Sequence, residues 1–107
     1  MPFEAFEVSL KVVELLRAPI ARLRSLDPDL ARQLKRASSS TALNLAEGAG
    51  REGRDRRQHY RIARGSARET QAALRVASAA GELRPSDTAA VLEVLDRLLR
   101  LLWGLTR

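Results

Sequence analysis

The sequence predicts an all-α protein, an up-down-up-down antiparallel four-helix bundle, on three observations. Apolar side chains recur at helical spacing through four successive segments. No stretch alternates apolar and polar residues as a half-buried strand would. The four segments, about 3–24, 28–49, 54–80 and 87–105, are similar in length and joined by short loops, which suits antiparallel neighbours. The 107 residues make a single domain, 1–107, and at 45% apolar content the composition is globular.

In the first segment Phe6, Leu10, Val13, Leu16, Ile20 and Leu23 keep a helical period. Pro19 lies inside it and removes a backbone donor, which predicts a kink near Leu15. The second begins at Asp27-Pro28, an N-cap acceptor followed by proline at the first helical position. Ser38, Ser39, Ser40 and Thr41 would alone suggest a loop, because short hydroxyl side chains compete for backbone hydrogen bonds. Leu30, Leu34, Ala37, Thr41 and Leu45 nevertheless carry the helical period through them, on a face small enough for close approach of a neighbour.

The third segment also presents small residues, Ala63, Ala67, Thr70, Ala73, Ala77 and Ala80, and Gly81 supplies its C-terminal stop. The fourth takes Ser86 as N-cap and is the most apolar. Val91, Leu95, Leu98, Leu102 and Leu105 form one stripe, while Leu92, Val94, Leu99, Leu101 and Trp103 widen it beyond what one bundle core needs. Leu92, Leu99, Leu101 and Trp103 are therefore assigned to an oligomer interface, the alternative being deeper packing within the bundle.

"AEGAGREGRDRR", residues 46–57, contains Gly48, Gly50 and Gly53 in a G-x-G-x-x-G outline. A dinucleotide turn needs a strand before it and a parallel sheet around it, whereas the residues before this one are helical in pattern. The glycines instead end the second helix and relieve the turn into the third. Charge makes this turn the candidate site. The net charge is +6, and residues 51–68 hold seven arginines against Glu52 and Asp55, a net of +5. Arg51, Arg54, Arg56, Arg57, Arg61 and Arg64 are the candidate contacts to an RNA or DNA backbone. The alternative is a solvated basic turn. Tyr60 is the one aromatic nearby for base stacking, so sequence-specific readout is not supported.

Ser40, Asn44 and Glu47 form one stripe on the second helix, and Ser66 and Glu69 one on the third. Antiparallel pairing would bring them together as a structural polar network, with Arg64 or Arg68 as partners for the glutamates; an ordinary wet edge is the alternative. Nothing argues for an enzyme. There is no cysteine and no Glu-x-x-His pair, and His59, the single histidine, has no second metal ligand. No cofactor or metal is expected. The opening residues carry glutamates where a secretion signal needs positive charge, and no apolar run approaches a membrane span, so a soluble cytoplasmic protein is expected.

Two motifs in order carry a resemblance. Ser40, Asn44, Leu45, Ala46, Glu47, Gly48 and Arg51 form the first, and Tyr60, Ile62, Ala63, Gly65, Ser66 and Glu69 the second. The chain resembles the bacterial four-helix bundle family named after the 23S ribosomal RNA intervening sequence. That resemblance implies a four-helix bundle assembled as a homopentameric ring. A relative in the wider group, the accessory variability protein of diversity-generating retroelements, forms such a ring and binds nucleic acid and a reverse transcriptase. The expected function is a non-enzymatic oligomeric scaffold that binds RNA or DNA backbone through the arginine-rich turn, as accessory to a reverse transcriptase or other nucleic-acid enzyme. The alternative is a protein-interaction or structural oligomer with no nucleic-acid role.

Overall fold

Pro19 divides the first predicted segment in two. The computed structural model describes residues 3–107; Met1 and Pro2, the first residues of the assigned domain, lie outside it. Five helices follow one another: α1 (Glu4–Leu15), α2 (Arg17–Leu26), α3 (Pro28–Ala49), α4 (Gly53–Ala79) and α5 (Pro85–Thr106). Among the described residues there is no strand. The single first helix of the sequence reading is thus corrected to two. Leu16 N–H still donates to Val12 at 3.0 Å and Ile20 N–H to Leu16 at 2.9 Å. Between them Pro19 has no N–H for the Leu15 carbonyl, so the ladder misses one rung at the predicted kink.

The second predicted segment, α3, starts as expected: Asp27 Oδ1 accepts from Leu30 N–H at 3.1 Å, and Pro28 takes the first turn. Helix α3 runs unbroken through the serines. Thr41 Oγ1 donates to the Ala37 carbonyl at 2.9 Å, and Ser38 Oγ donates back to Lys35. These hydroxyls bond to their own helix and need no outside partner to be buried.

Helix α4 ends at Ala79, and Gly81, at φ +75°, closes it with a paired C-terminal motif. Glu82 N–H reaches the Ala77 carbonyl at 2.9 Å and Gly81 N–H reaches Ser78 at 3.0 Å. The start of α5 differs from expectation. Pro85, not a residue after Ser86, opens the helix, and Asp87 caps it by accepting from Arg84 N–H at 2.7 Å.

The most extensive contact joins α3 to α4, and α5 packs on both α4 and α1. Small residues make the first contact close: Ala37, Thr41 and Gly48 meet a face carrying Ala63, Ala67 and Thr70, all buried. Leucines fill the rest, with Leu16, Leu23, Leu34, Leu45, Leu74, Leu95, Leu98 and Leu102 essentially inaccessible. The molecule measures 42 × 22 × 22 Å, set by its long helices. No described helix is long and apolar enough to cross a membrane.

Candidate nucleic-acid interface

The α3–α4 turn is built from two glycines with different tasks. Gly53 adopts φ +58°, a conformation that L side chains rarely take, and so allows α4 to start. Gly48 lies inside α3, and its role is close approach. A Cβ there would stand 2.7 Å from Cε1 of Tyr60 and 3.1 Å from Cβ of His59. Tyr60 is buried in that space, with the Phe3 ring tilted against it at 5.7 Å between centroids. Helix termination, expected of Gly48, falls instead to Gly50 and Gly53, and Tyr60, expected to be available for base stacking, is enclosed. Burial removes Tyr60 from that role.

The structure divides the six candidate arginines into two sets. Arg51 is fixed: it bonds Glu47 Oε1 at 2.6 Å and Asp55 Oδ2 at 2.8 Å, bridging the end of α3 to the start of α4. Those hydrogen bonds, Glu47 first, hold its guanidinium above its usual pKa. Arg56 Nε donates to the Arg51 carbonyl at 2.8 Å, closing the turn from the other side. Arg64 donates to Thr106 Oγ1 at 2.7 Å and lies 5.3 Å from the centre of the Trp103 ring, which ties α4 to the end of α5.

Arg54, Arg57 and Arg61 are different. They are exposed, and among the described residues none has a carboxylate in salt-bridge reach. Spacings of three and four put them on one face of α4, and Arg68 and Arg75 extend that line at seven-residue intervals. The line measures roughly 30 Å from Arg54 to Arg75 at the helical rise. A straight row of unpaired guanidiniums can contact successive anionic groups.

The polar stripes meet, with partners other than those expected. Ser40 Oγ and Ser66 Oγ are hydrogen-bonded at 2.9 Å across the α3–α4 seam. Asn44 donates to the Ser40 carbonyl at 2.9 Å, and its Oδ1 lies 3.1 Å from His59 Nδ1. The glutamates stand outside this network: Glu47 is held by Arg51, and Glu69 by Arg36 at 2.9 Å. Arg64 and Arg68 do not serve them. Among the described residues no group of three or more His, Cys, Asp or Glu is placed to hold a metal.

The residues assigned to an oligomer interface are not equally available. Leu92, Leu99 and Leu101 are half-buried against the chain's own core, and Trp103 is 58% exposed. Other exposed large apolar side chains lie off α5: Leu10 on α1, Leu26 on α2, Leu43 on α3, and Ile62 and Val76 on α4. These two α4 residues share the edge that holds Ser66 and Glu69, which touch α3. Sequence periodicity could not separate a wide buried stripe on α5 from a surplus one.

Residues 4–104 match the family model described as 23S rRNA-intervening sequence protein. A comparison with curated protein sequences gives no match. Among solved structures, the fold is similar to that of a protein of unknown function from the S23 ribosomal protein family of Bacteroides thetaiotaomicron. The TM-score is 0.83 over 96% of this chain and 98% of that one, at 18% identity. At that identity the likeness is one of fold.

Proposed function

Because this chain belongs to the 23S rRNA-intervening sequence protein family, we propose that it is a non-catalytic cytoplasmic scaffold that holds nucleic-acid backbone on the arginines of α4. In this reading α1 and α2 form one broken arm of an up-down four-helix bundle, and copies assemble into a ring of five. The observation that carries the binding role is the row Arg54, Arg57 and Arg61, exposed and without carboxylate partners, beside an Arg51 that is engaged. A ring would repeat this row in every subunit, raising avidity without new contacts. A reverse transcriptase or other nucleic-acid enzyme is the protein partner to which the family resemblance points.

The test is fluorescence anisotropy of labelled RNA and DNA across a salt series. The wild type is compared with Arg54→Ala/Arg57→Ala/Arg61→Ala at equal oligomer mass. Each lost phosphate contact lowers the salt slope by about 0.7 for single strands and about 0.9 for duplex. The triple variant should therefore lose a slope of roughly 2–3. Equal binding by both proteins, or none by either, overturns the reading.

A second reading, self-association without nucleic acid, is favoured by the exposed Leu43, Ile62 and Val76. It predicts an oligomer whose mass does not depend on the arginines.

A further inference from the structure

The α2–α3 side of the molecule carries a second cationic surface. A half-enclosed cleft of about 290 Å³ is lined by Val13, Arg17, Ile20, Arg24, Lys35 and Ser38. It runs into an adjoining hollow of about 440 Å³ that shares Ile20, Arg24 and Lys35 and adds Arg32 and Arg36. No carboxylate lines either one. The serine run, which nucleic-acid binding leaves unexplained, is divided among these surfaces. Ser38 lies under the cleft, Ser39 lines the hollow, and Ser40 closes the α3–α4 seam.

The cations that line the cleft differ in pairing from those of the hollow beside it. Their neighbours in the adjoining hollow, Arg32 and Arg36, each pair with a carboxylate, of Asp29 and Glu69 respectively. Among the described residues Arg17, Arg24 and Lys35 have no such partner. Arg17 and Arg24 are seven residues apart, so α2 presents both on one face about 10 Å apart along its axis, and Lys35 faces them from α3. Three like charges around an apolar floor of Val13 and Ile20 repel one another, and the low-dielectric wall focuses their field into the cleft. An anion with more than one charge relieves that repulsion in the space provided.

We infer that this cleft is a binding site for a small polyphosphate anion. Arg17, Arg24 and Lys35 take the phosphoryl oxygens, and Ile20 and Val13 floor the site. The surface is separate from the basic turn, since Lys35 and Ala49 are about 21 Å apart along α3.

The experiment is isothermal titration of the full chain at low ionic strength with inorganic pyrophosphate, then ATP, with sulfate as a control. Arg24→Ala/Lys35→Ala is compared with Arg54→Ala/Arg57→Ala/Arg61→Ala. Pyrophosphate binding that the cleft variant weakens at least about tenfold, and the turn variant leaves unchanged, is the expected result. ATP binding tighter than pyrophosphate identifies a nucleotide as the source of the phosphates, and equal binding identifies the phosphate chain alone. No binding of pyrophosphate at millimolar concentration overturns the site, as does equal weakening by both variants or sulfate binding as tight as pyrophosphate. RNA binding lost in the cleft variant without any pyrophosphate binding also overturns it, making the surface part of a nucleic-acid track. Should the double variant melt early without ligand, Lys35→Gln replaces it with the same outcomes.

Discussion

Gly48 on α3 and Tyr60 on α4 occupy one space: the position of a Cβ on the glycine is 2.7 Å from the tyrosine ring. The ring cannot yield easily, being buried with Phe3 against it. Gly48→Ala should therefore destabilise the protein by about 1–3 kcal/mol through overpacking, although alanine is the better helix former. In a Tyr60→Ala background the same change should become neutral or stabilising by up to about 1 kcal/mol. Urea unfolding of the four proteins measures both values, and an unchanged sign would mean that something other than the ring restricts Gly48.

Asn44 links its own helix to the next, donating to Ser40 and meeting His59 Nδ1. Asn44→Ala should cost about 1–2 kcal/mol, because it also leaves the half-buried His59 without that partner. Replacing His59 with alanine in the same background should add little. Additive losses in the double-mutant cycle would show that the two side chains act separately.

Two carboxyls near the α4–α5 loop should respond to pH in opposite directions. The Arg84 guanidinium, helped by the Arg84 backbone N–H, holds Asp87 below its ordinary range. A lowered folded-state pKa adds stability above the unfolded value and loses it as pH falls through the folded one. Asp87→Asn should melt earlier than wild type at neutral pH, with the gap closing in acid. Burial raises Glu82, and the neighbouring Asp27 raises it further. The folded chain then holds that proton more tightly, so stability falls as pH rises through the raised value. Glu82→Gln should melt later than wild type at neutral pH, and this gap should also close in acid. Thermal melts from about pH 7 to about pH 2 read both changes.

Self-association, if it uses the exposed α4 edge, should be lost in Ile62→Glu, with a smaller mass in sedimentation and little change in the monomer's melt. Leu99→Glu should instead lower the melting temperature, since Leu99 packs against the chain's own core. An unchanged mass for Ile62→Glu would move the interface to the Trp103 side.

Local signals in the sequence were reliable where the cause was local. Asp27-Pro28 starts a helix, Pro19 breaks one and Gly81 ends one because each acts on backbone within a turn of itself. The remaining features depend on partners distant in the chain. Gly48 needs Tyr60 to explain it, and Arg64 shows its engagement only when Trp103 and Thr106 return beside it. The arginine row has the same character. Composition gives seven arginines in one stretch, but only the placement of Glu47 and Asp55 shows which one they restrain. On α5, Pro85 at the first helical position is a stronger start signal than Ser86, because its fixed φ already suits the first turn.

The missing rung at Pro19 also affects how the fold comes apart. Helices in one continuous ladder tend to open together, whereas a gap is a natural boundary between units that open separately. Helix α2, ten residues long and packed chiefly on α3, is the segment on the far side of that boundary. Its amides should exchange with solvent ahead of those in α3. Since α2 brings Arg17 and Arg24 to the cleft and α3 brings Lys35, an anion held among them would act as a staple across the seam. Slower exchange in α2 would then be the earliest sign that the staple is in place.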